Sequence, residues 1–198
     1  IGTFTAGSPR LRDALPELTN FDALWVRDPE SANNLYHLGV SPPVILGSDL
    51  AFLWEHWCSP ELVLVPMPAR PLRPLVGVVL RDWPAGSGAN FAQAILPALN
   101  YLSSLYELTL ISLDPATDAG TLASLSHLPK LVWAPGRMGI PDFVERLAAQ
   151  DVLLTSRAHG AICGACLGRA SVILAIEPKL LAVSAMLPNA TRLVASPY

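Results

Sequence analysis

Charge is scarce in this chain. Of its 198 residues only 15% are Asp, Glu, Lys or Arg, against 52% hydrophobic, and the balance is slightly acidic at −3. An acidic protein has no bulk attraction for nucleic acid or an anionic membrane, so an anionic ligand must be recruited by local basic residues. Long apolar runs are lacking as well. No window reaches the roughly 18 consecutive apolar residues that a membrane-spanning helix needs. The apolar content is therefore assigned to buried elements of a soluble, cytoplasmic protein, with at most peripheral association with the inner face of a membrane. Cysteine is sparse, with Cys58, Cys163 and Cys166 an odd set of three. The last two stand in C-x-x-C spacing, but no second pair completes a metal or redox motif. The segment Ala161 to Leu167 (AICGACL) reads as a small-residue helix carrying reduced, buried thiols. His37, His56 and His127 lack metal-ligand spacing, so no metal site is expected. Neither a GxGxxG nor a Walker pattern occurs; the glycine-containing loop Asp82 to Gly88 that follows Arg81 has the wrong spacing for either. Internal repeats and low-complexity tracts are also absent.

What is present is an alternation. From Leu75 onward short apolar runs are separated by helix-length amphipathic stretches, as expected of β-α-β units around a parallel sheet. Five strands are predicted, at Leu75 to Arg81, Leu108 to Leu113, Lys130 to Ala134, Asp151 to Ser156 and Ser171 to Ile176. Each is continuously apolar rather than alternating, which means burial on both faces. Helices are predicted at Asn90 to Tyr106, where Phe91, Ala94, Ile95, Ala98, Leu99, Leu102 and Leu105 recur at helical spacing, and at Pro141 to Gln150, with Phe143, Leu147 and Ala148 on one stripe. A third is predicted at His159 to Leu167. Pro97 is expected to kink or split the first of these.

Upstream, Phe21 to Arg27 is a strand candidate, and Asp28 or Ser31 is placed to cap a helix running through Leu35 to Leu38 and stopping at Gly39. Ile1 to Thr5 reads like the tail of a strand, so an N-terminal portion is expected to precede it. The resulting division is the remaining part of an N-terminal α/β domain at 1–66, a proline-rich linker at 67–74 and a Rossmann-like C-terminal domain at 75–198.

Chemistry concentrates where the strand ending in Thr155 gives way to a helix at Ser156-Arg157-Ala158-His159-Gly160. Ligands of doubly wound sheets bind beyond the carboxyl ends of strands, and the N–H groups of a helix start favour anions. Arg157 adds a charge able to grip a phosphate or carboxylate in a bidentate manner. His159 stands where a proton can be given or taken near neutral pH. The blander reading is a surface ion pair for Arg157 and a helix-capping role for His159. Lys179 holds the equivalent position after the next strand. Neighbouring strands lie about 5 Å apart, so side chains at adjacent carboxyl ends can converge on one ligand. Arg27 closes its own strand candidate and is a third cation, with Asp28 as a candidate partner.

Three segments together resemble the polysaccharide pyruvyl transferase family. They are Trp25-Val26-Arg27-Asp28-Pro29-Glu30-Ser31 followed by Leu38-Gly39-Val40, then Leu153 to Ala161 (LLTSRAHGA), and then Ile173 to Lys179 (ILAIEPK). The family forms they match are an RD-x-x-S…LG segment, an SRLHG turn and a YDPK turn, in the same order. Two departures are visible: Ala158 replaces the usual leucine, and Ile176-Glu177 replaces Tyr-Asp. The resemblance implies a two-domain GT-B-like fold, with residues 1–66 on the acceptor side. It also implies transfer of pyruvate from phosphoenolpyruvate onto a sugar as a ketal, in cell-surface polysaccharide synthesis, without a further cofactor. Arg27, Arg157, Lys179 and Ser156 would hold phosphoenolpyruvate and His159 would be the acid/base. The acceptor would be a lipid-linked or nucleotide-activated sugar. A GT-B-type glycosyltransferase using a nucleotide sugar, and a non-catalytic homologue that keeps the fold, are the alternatives.

Overall fold

The structure is a computed structural model that describes residues 9–61, 73–81 and 91–195. The expected strand tail at Ile1 to Thr5, the loop Asp82 to Gly88 and most of the linker lie outside these residues. The described residues fall into two compact units that divide between Phe52 and Leu53.

The first unit contains helix α1 (Pro9–Leu18), strand β1 (Leu24–Val26), helix α2 (Pro29–His37) and strand β2 (Val44–Leu46). β1 and β2 pair in parallel, with Leu24 opposite Val44. The start of α2 follows from the sequence: the Asp28 carboxylate accepts the Ser31 amide at 2.7 Å and the Ser31 hydroxyl at 2.9 Å, and Pro29 occupies the first turn, where its lack of an N–H costs nothing. The helix ends before Gly39, whose φ of +69° is a left-handed conformation that glycine adopts without strain. Leu18, Leu24, Val26, Ala32, Leu35 and Val44 form the core of this unit.

The second unit is built on a six-stranded sheet. In chain order its elements are β3 (Leu75–Val79), α3 (Phe91–Leu105), β4 (Glu107–Ser112), α4 (Ala119–Ser124), β5 (Lys130–Val132), α5 (Ile140–Ala148), β6 (Val152–Thr155), α6 (Ala158–Cys166), β7 (Ala170–Ala175), α7 (Pro178–Met186) and β8 (Thr191–Ala195). The spatial order is β5-β4-β3-β6-β7-β8, and every neighbouring pair is parallel. Counted from β3 this is the 3-2-1-4-5-6 order of a dinucleotide-binding-type sheet, which reverses direction between β3 and β6 and opens a ligand crevice at that switch point.

Continuous hydrophobicity in the strands has the expected cause. Val76, Val78, Leu80, Leu108, Leu110 and Leu154 face a cluster that includes Leu99 of α3, whereas Val79, Ile111, Leu131 and Leu153 face one that includes Phe143 and Leu147 of α5. Alternate residues thus serve two separate cores, one on each face of the sheet. On the α5 side the packing leaves no room at Gly77, where an added Cβ would lie 2.6 Å from Leu153 Cδ2 and 2.7 Å from Ile111 Cδ1. Gly77→Ala is expected to overpack this layer and cost about 1–3 kcal/mol, read as a lower denaturant midpoint with an unchanged slope.

Several expectations are corrected. Pro97 does not split its helix: α3 runs unbroken through it, with Pro97 on the exposed face, where a lost backbone hydrogen bond is least costly. Ala94, Ala98 and Leu105 face outward, and Ala92 with Leu99 supplies the buried contacts. Residues 53–61, expected in the first domain, group with the second unit, because Cys58 belongs to the core cluster beneath α5 and Trp54 and Trp57 pack against it. The proposed boundary at residue 66 itself lies outside the described residues. Strand β8 and helices α1, α4 and α7 extend the pattern beyond what the sequence indicated.

The small residues of α6 have a packing reason. A Cβ on Gly160 would fall 2.3 Å from Thr155 Oγ1, and one on Gly164 would fall 2.8 Å from both Leu153 Cδ1 and Ser171 Oγ. Two glycines four residues apart therefore let the helix lie directly on β6. Cys163 packs against the same core, and all three cysteines are free thiols; burial pushes the Cys58 thiol above its ordinary value.

Candidate functional site

The carboxyl ends of β3, β6 and β7 are adjacent in the sheet, and each is followed by a basic residue: Arg81, Arg157 and Lys179. Val79 of β3 is in register with Thr155 of β6, so Arg81 and Arg157, each two residues further on, are level across the switch point. Backbone bonds fix this edge. The Ser156 amide donates to Val79 O at 2.9 Å, and the Arg81 amide donates to Ser156 Oγ at 3.0 Å. Thr155 makes the turn: its hydroxyl donates to Arg157 O at 2.9 Å and accepts the Arg157 amide at 3.0 Å.

Arg157 occupies the cap position of α6 and offers no acceptor to the helix amides. A helix start without a side-chain cap carries a partial positive charge that favours an anion. His159, in the first turn of α6, is exposed, whereas Ala158 and Gly160 on either side of it are buried. The sheet thus holds the segment in place while one imidazole projects from it.

Each cation at this edge has an acidic neighbour. Lys179 Nζ lies 2.9 Å from Glu177 Oε1, and Arg81 Nη1 lies 3.8 Å from the same oxygen. Arg157 Nη2 forms an ion pair with Asp118 Oδ1 and donates to Thr117 Oγ1 at 2.9 Å. Three cations and two buried carboxylates are thus gathered at this edge. The field reaches the rim of the site: the Asp114 carboxyl is held below its ordinary value, first by hydrogen bonds from the Thr117 side chain and backbone and then, against some desolvation, by the charge of Arg157. Arg157 Nε is buried and meets no acceptor among the described residues.

The structure gathers Ser156, Arg157, His159 and Lys179 on one edge of the second unit. Ser156, expected among the ligand-binding residues, is fully buried, with its hydroxyl turned to the end of β3. Arg27 belongs to the first unit and forms an ion pair with Asp49 at 2.5 Å, while the Asp28 carboxylate accepts the Ser31 amide at the start of α2. Asp118 and Ser112 carry no local signal in the sequence, Glu177 shows there only as a departure from the family turn, and Arg81 only as a strand end before a glycine-containing loop. Asp118 and Arg157 are 39 residues apart, and no local pattern announces such a pairing. Among the described residues no group of three or more His, Cys, Asp or Glu is placed to hold a metal, and no helix is long and apolar enough to cross a membrane.

Comparison with solved structures bears on the fold. The second unit's sheet agrees with similarity to WaaG, a glycosyltransferase involved in lipopolysaccharide biosynthesis, at a TM-score of 0.51 and 13% identity over 88% of this chain and 50% of that one. A UDP-GlcNAc 2-epimerase from Neisseria meningitidis, bound to UDP-GlcNAc, aligns at a TM-score of 0.48 and 13% identity over 99% of this chain and 56% of its own. The chain therefore spans about half the length of the structures it matches. The expected α/β, GT-B-like fold with a parallel sheet is present. No curated protein matches the sequence. The family model for polysaccharide pyruvyl transferase matches residues 9–178, a span that takes in Arg27, the whole Ser156 to Gly160 turn and Glu177, and ends one residue before Lys179. A match over most of the chain, including the Ser156 to Gly160 turn at the switch point of the sheet, places this protein in the polysaccharide pyruvyl transferase family.

Proposed function

We propose that the protein transfers pyruvate from phosphoenolpyruvate to two hydroxyls of a sugar, forming a cyclic ketal. The observation that carries this reading is the gathering of Arg81, Arg157 and Lys179 beside the uncapped start of α6, on three adjacent strand ends. Phosphoenolpyruvate carries a carboxylate and a phosphate, and two anionic groups on one small molecule call for several fixed cations. Arg157 and Lys179 hold these groups. Ser156 acts through its tie to Arg81, which fixes the level of the two strand ends.

The reaction balances without a further cofactor. A proton added to the methylene carbon of phosphoenolpyruvate makes C2 electrophilic. One sugar hydroxyl adds at C2 and gives up its proton, inorganic phosphate leaves, and the second hydroxyl adds at the same carbon and gives up its own; of the two protons released, one replaces that added to the methylene carbon and the other ends on phosphate. His159 serves one of these proton transfers, since an exposed imidazole on a rigid helix start can reach a bound donor. The acceptor is a lipid-linked or nucleotide-activated sugar met on the cytoplasmic side of a membrane, in polysaccharide synthesis.

Calorimetry of the full chain against phosphoenolpyruvate and a panel of nucleotide sugars, followed by a search for ketal and inorganic phosphate, tests this. Binding of phosphoenolpyruvate with release of phosphate in the presence of an acceptor is expected. Binding of a nucleotide sugar and not of phosphoenolpyruvate would replace this reading with glycosyl transfer. Binding of phosphoenolpyruvate with no turnover on any acceptor would make the protein a non-catalytic homologue, with Ala158 and Ile176 the first positions to revert.

A further inference from the structure

Asp118 is buried at 1% exposure and stands at the cap position of α4, yet its side chain makes no capping bond to that helix. An aspartate in this position ordinarily accepts an amide of its own helix. Here both carboxylate oxygens are used elsewhere: Oδ1 binds Arg157 Nη2, while Oδ2 accepts the Ser112 hydroxyl at 2.8 Å and lies 3.4 Å from the Asp114 amide. Ser112 is the last residue of β4 and is itself buried. Thr117, the residue before Asp118, adds a second acceptor for the same Arg157 nitrogen at 2.9 Å. A rigid strand end thus holds a carboxylate, and that carboxylate holds the far end of a long, otherwise flexible side chain.

We propose that Asp118 is a positioning residue, braced by Ser112, that fixes the guanidinium of Arg157 for the anionic donor. The proposal rests on the reading of Arg157 as a donor-binding residue. An arginine at a strand end samples many rotamers, and a ligand that must order it binds more weakly for that reason. Pinning Nη2 to a buried acid removes that cost in advance. The carboxylate partly neutralises Arg157, so its removal has two opposed effects: a freer charge and a looser one. The positioning role requires the second to dominate.

The test measures phosphoenolpyruvate binding by calorimetry, and KM with kcat, on the full chain. Asp118→Ala is expected to weaken binding on the order of tenfold or more, the usual worth of a hydrogen bond to a charged group, and to raise KM more than it lowers kcat. Asp118→Asn should recover most of the loss, because its amide oxygen still accepts from Arg157 and its N–H groups can donate to Ser112 Oγ. In an Arg157→Ala background the Asp118→Ala change should have no further effect on binding. Ser112→Ala is the milder variant should Asp118→Ala fail to fold. It is expected to weaken binding by about two- to tenfold, again only while Arg157 is present. Native-like or tighter binding by Asp118→Ala and Ser112→Ala, or an equal loss with and without Arg157, overturns the positioning role while leaving the donor reading intact. Equal binding by Arg157→Ala and the native chain removes the donor reading and the positioning role with it.

Discussion

His159→Ala is expected to reduce phosphoenolpyruvate-dependent ketal formation by about 10²- to 10⁴-fold, the usual contribution of a positioned acid/base, while leaving the fold and donor binding nearly intact. The separation follows from where the residue sits. Its neighbours Ala158 and Gly160 are buried against the sheet, whereas the imidazole is exposed in the first turn of α6, so removing it opens no cavity. A surface substitution of this kind usually changes stability by less than about 0.5 kcal/mol, and alanine favours a helix at least as well as histidine. The cations assigned to the donor are on other residues, so calorimetry should still register phosphoenolpyruvate. Turnover close to the native rate in a well-folded His159→Ala chain would remove the histidine from the mechanism. Loss of both binding and turnover would make it a ligand-holding group instead.

Gly160→Ala should be the most damaging single-methyl change in the second unit. The added Cβ would lie 2.3 Å from Thr155 Oγ1, 3.0 Å from Thr155 Cβ and 3.3 Å from Val79 Cβ, all at the edge of the sheet and none at the free end of a flexible chain. Either α6 lifts from β6 or Thr155 turns away, and Thr155 is the residue whose hydroxyl holds both the amide and the carbonyl of Arg157. Overpacking of this kind costs about 1–3 kcal/mol. The displacement also moves the start of α6, so donor affinity should fall together with thermal stability. Adding Thr155→Ala removes the atom in the way, and the double variant should recover part of the lost stability while donor binding stays weak, because the hydroxyl that shaped the turn is gone. Strict additivity of the two changes in unfolding experiments would show that the close approach of Gly160 to Thr155 is not what limits this packing.

Those two residues also mark how far the sequence could be read. The turn itself was legible because its parts are local: a continuous apolar strand ends, a basic residue and a histidine follow, and a run of small residues begins a helix. The strands at β3 to β7 were legible for a similar reason, since burial on both faces leaves no room for polar alternation. What escaped had weaker local signals or none. The run at β8 is short, and α4 has six residues and little amphipathic pattern. Pro97 spoke against a helix that packing nonetheless keeps whole, because Leu99 is fully buried against the sheet and the proline faces water.

The sequence by itself determined the class of fold and the segment that carries the chemistry, because hydrophobic runs, helix caps and the Ser156 to Gly160 turn are written over spans of a few residues. The capping of α2 by Asp28 is of the same kind. Only the tertiary structure decided how charge is distributed at that turn. Strand order places Arg81 level with Arg157, puts Glu177 beside both Lys179 and Arg81, and gives Arg157 an anchor from 39 residues away. It likewise turned Ser156 from an expected ligand contact into a buried tie between two strands. The physical reason is that a parallel sheet joins neighbours through long crossovers, so the residues that meet at its carboxyl edge are remote in sequence, and their pairing is fixed by strand order alone.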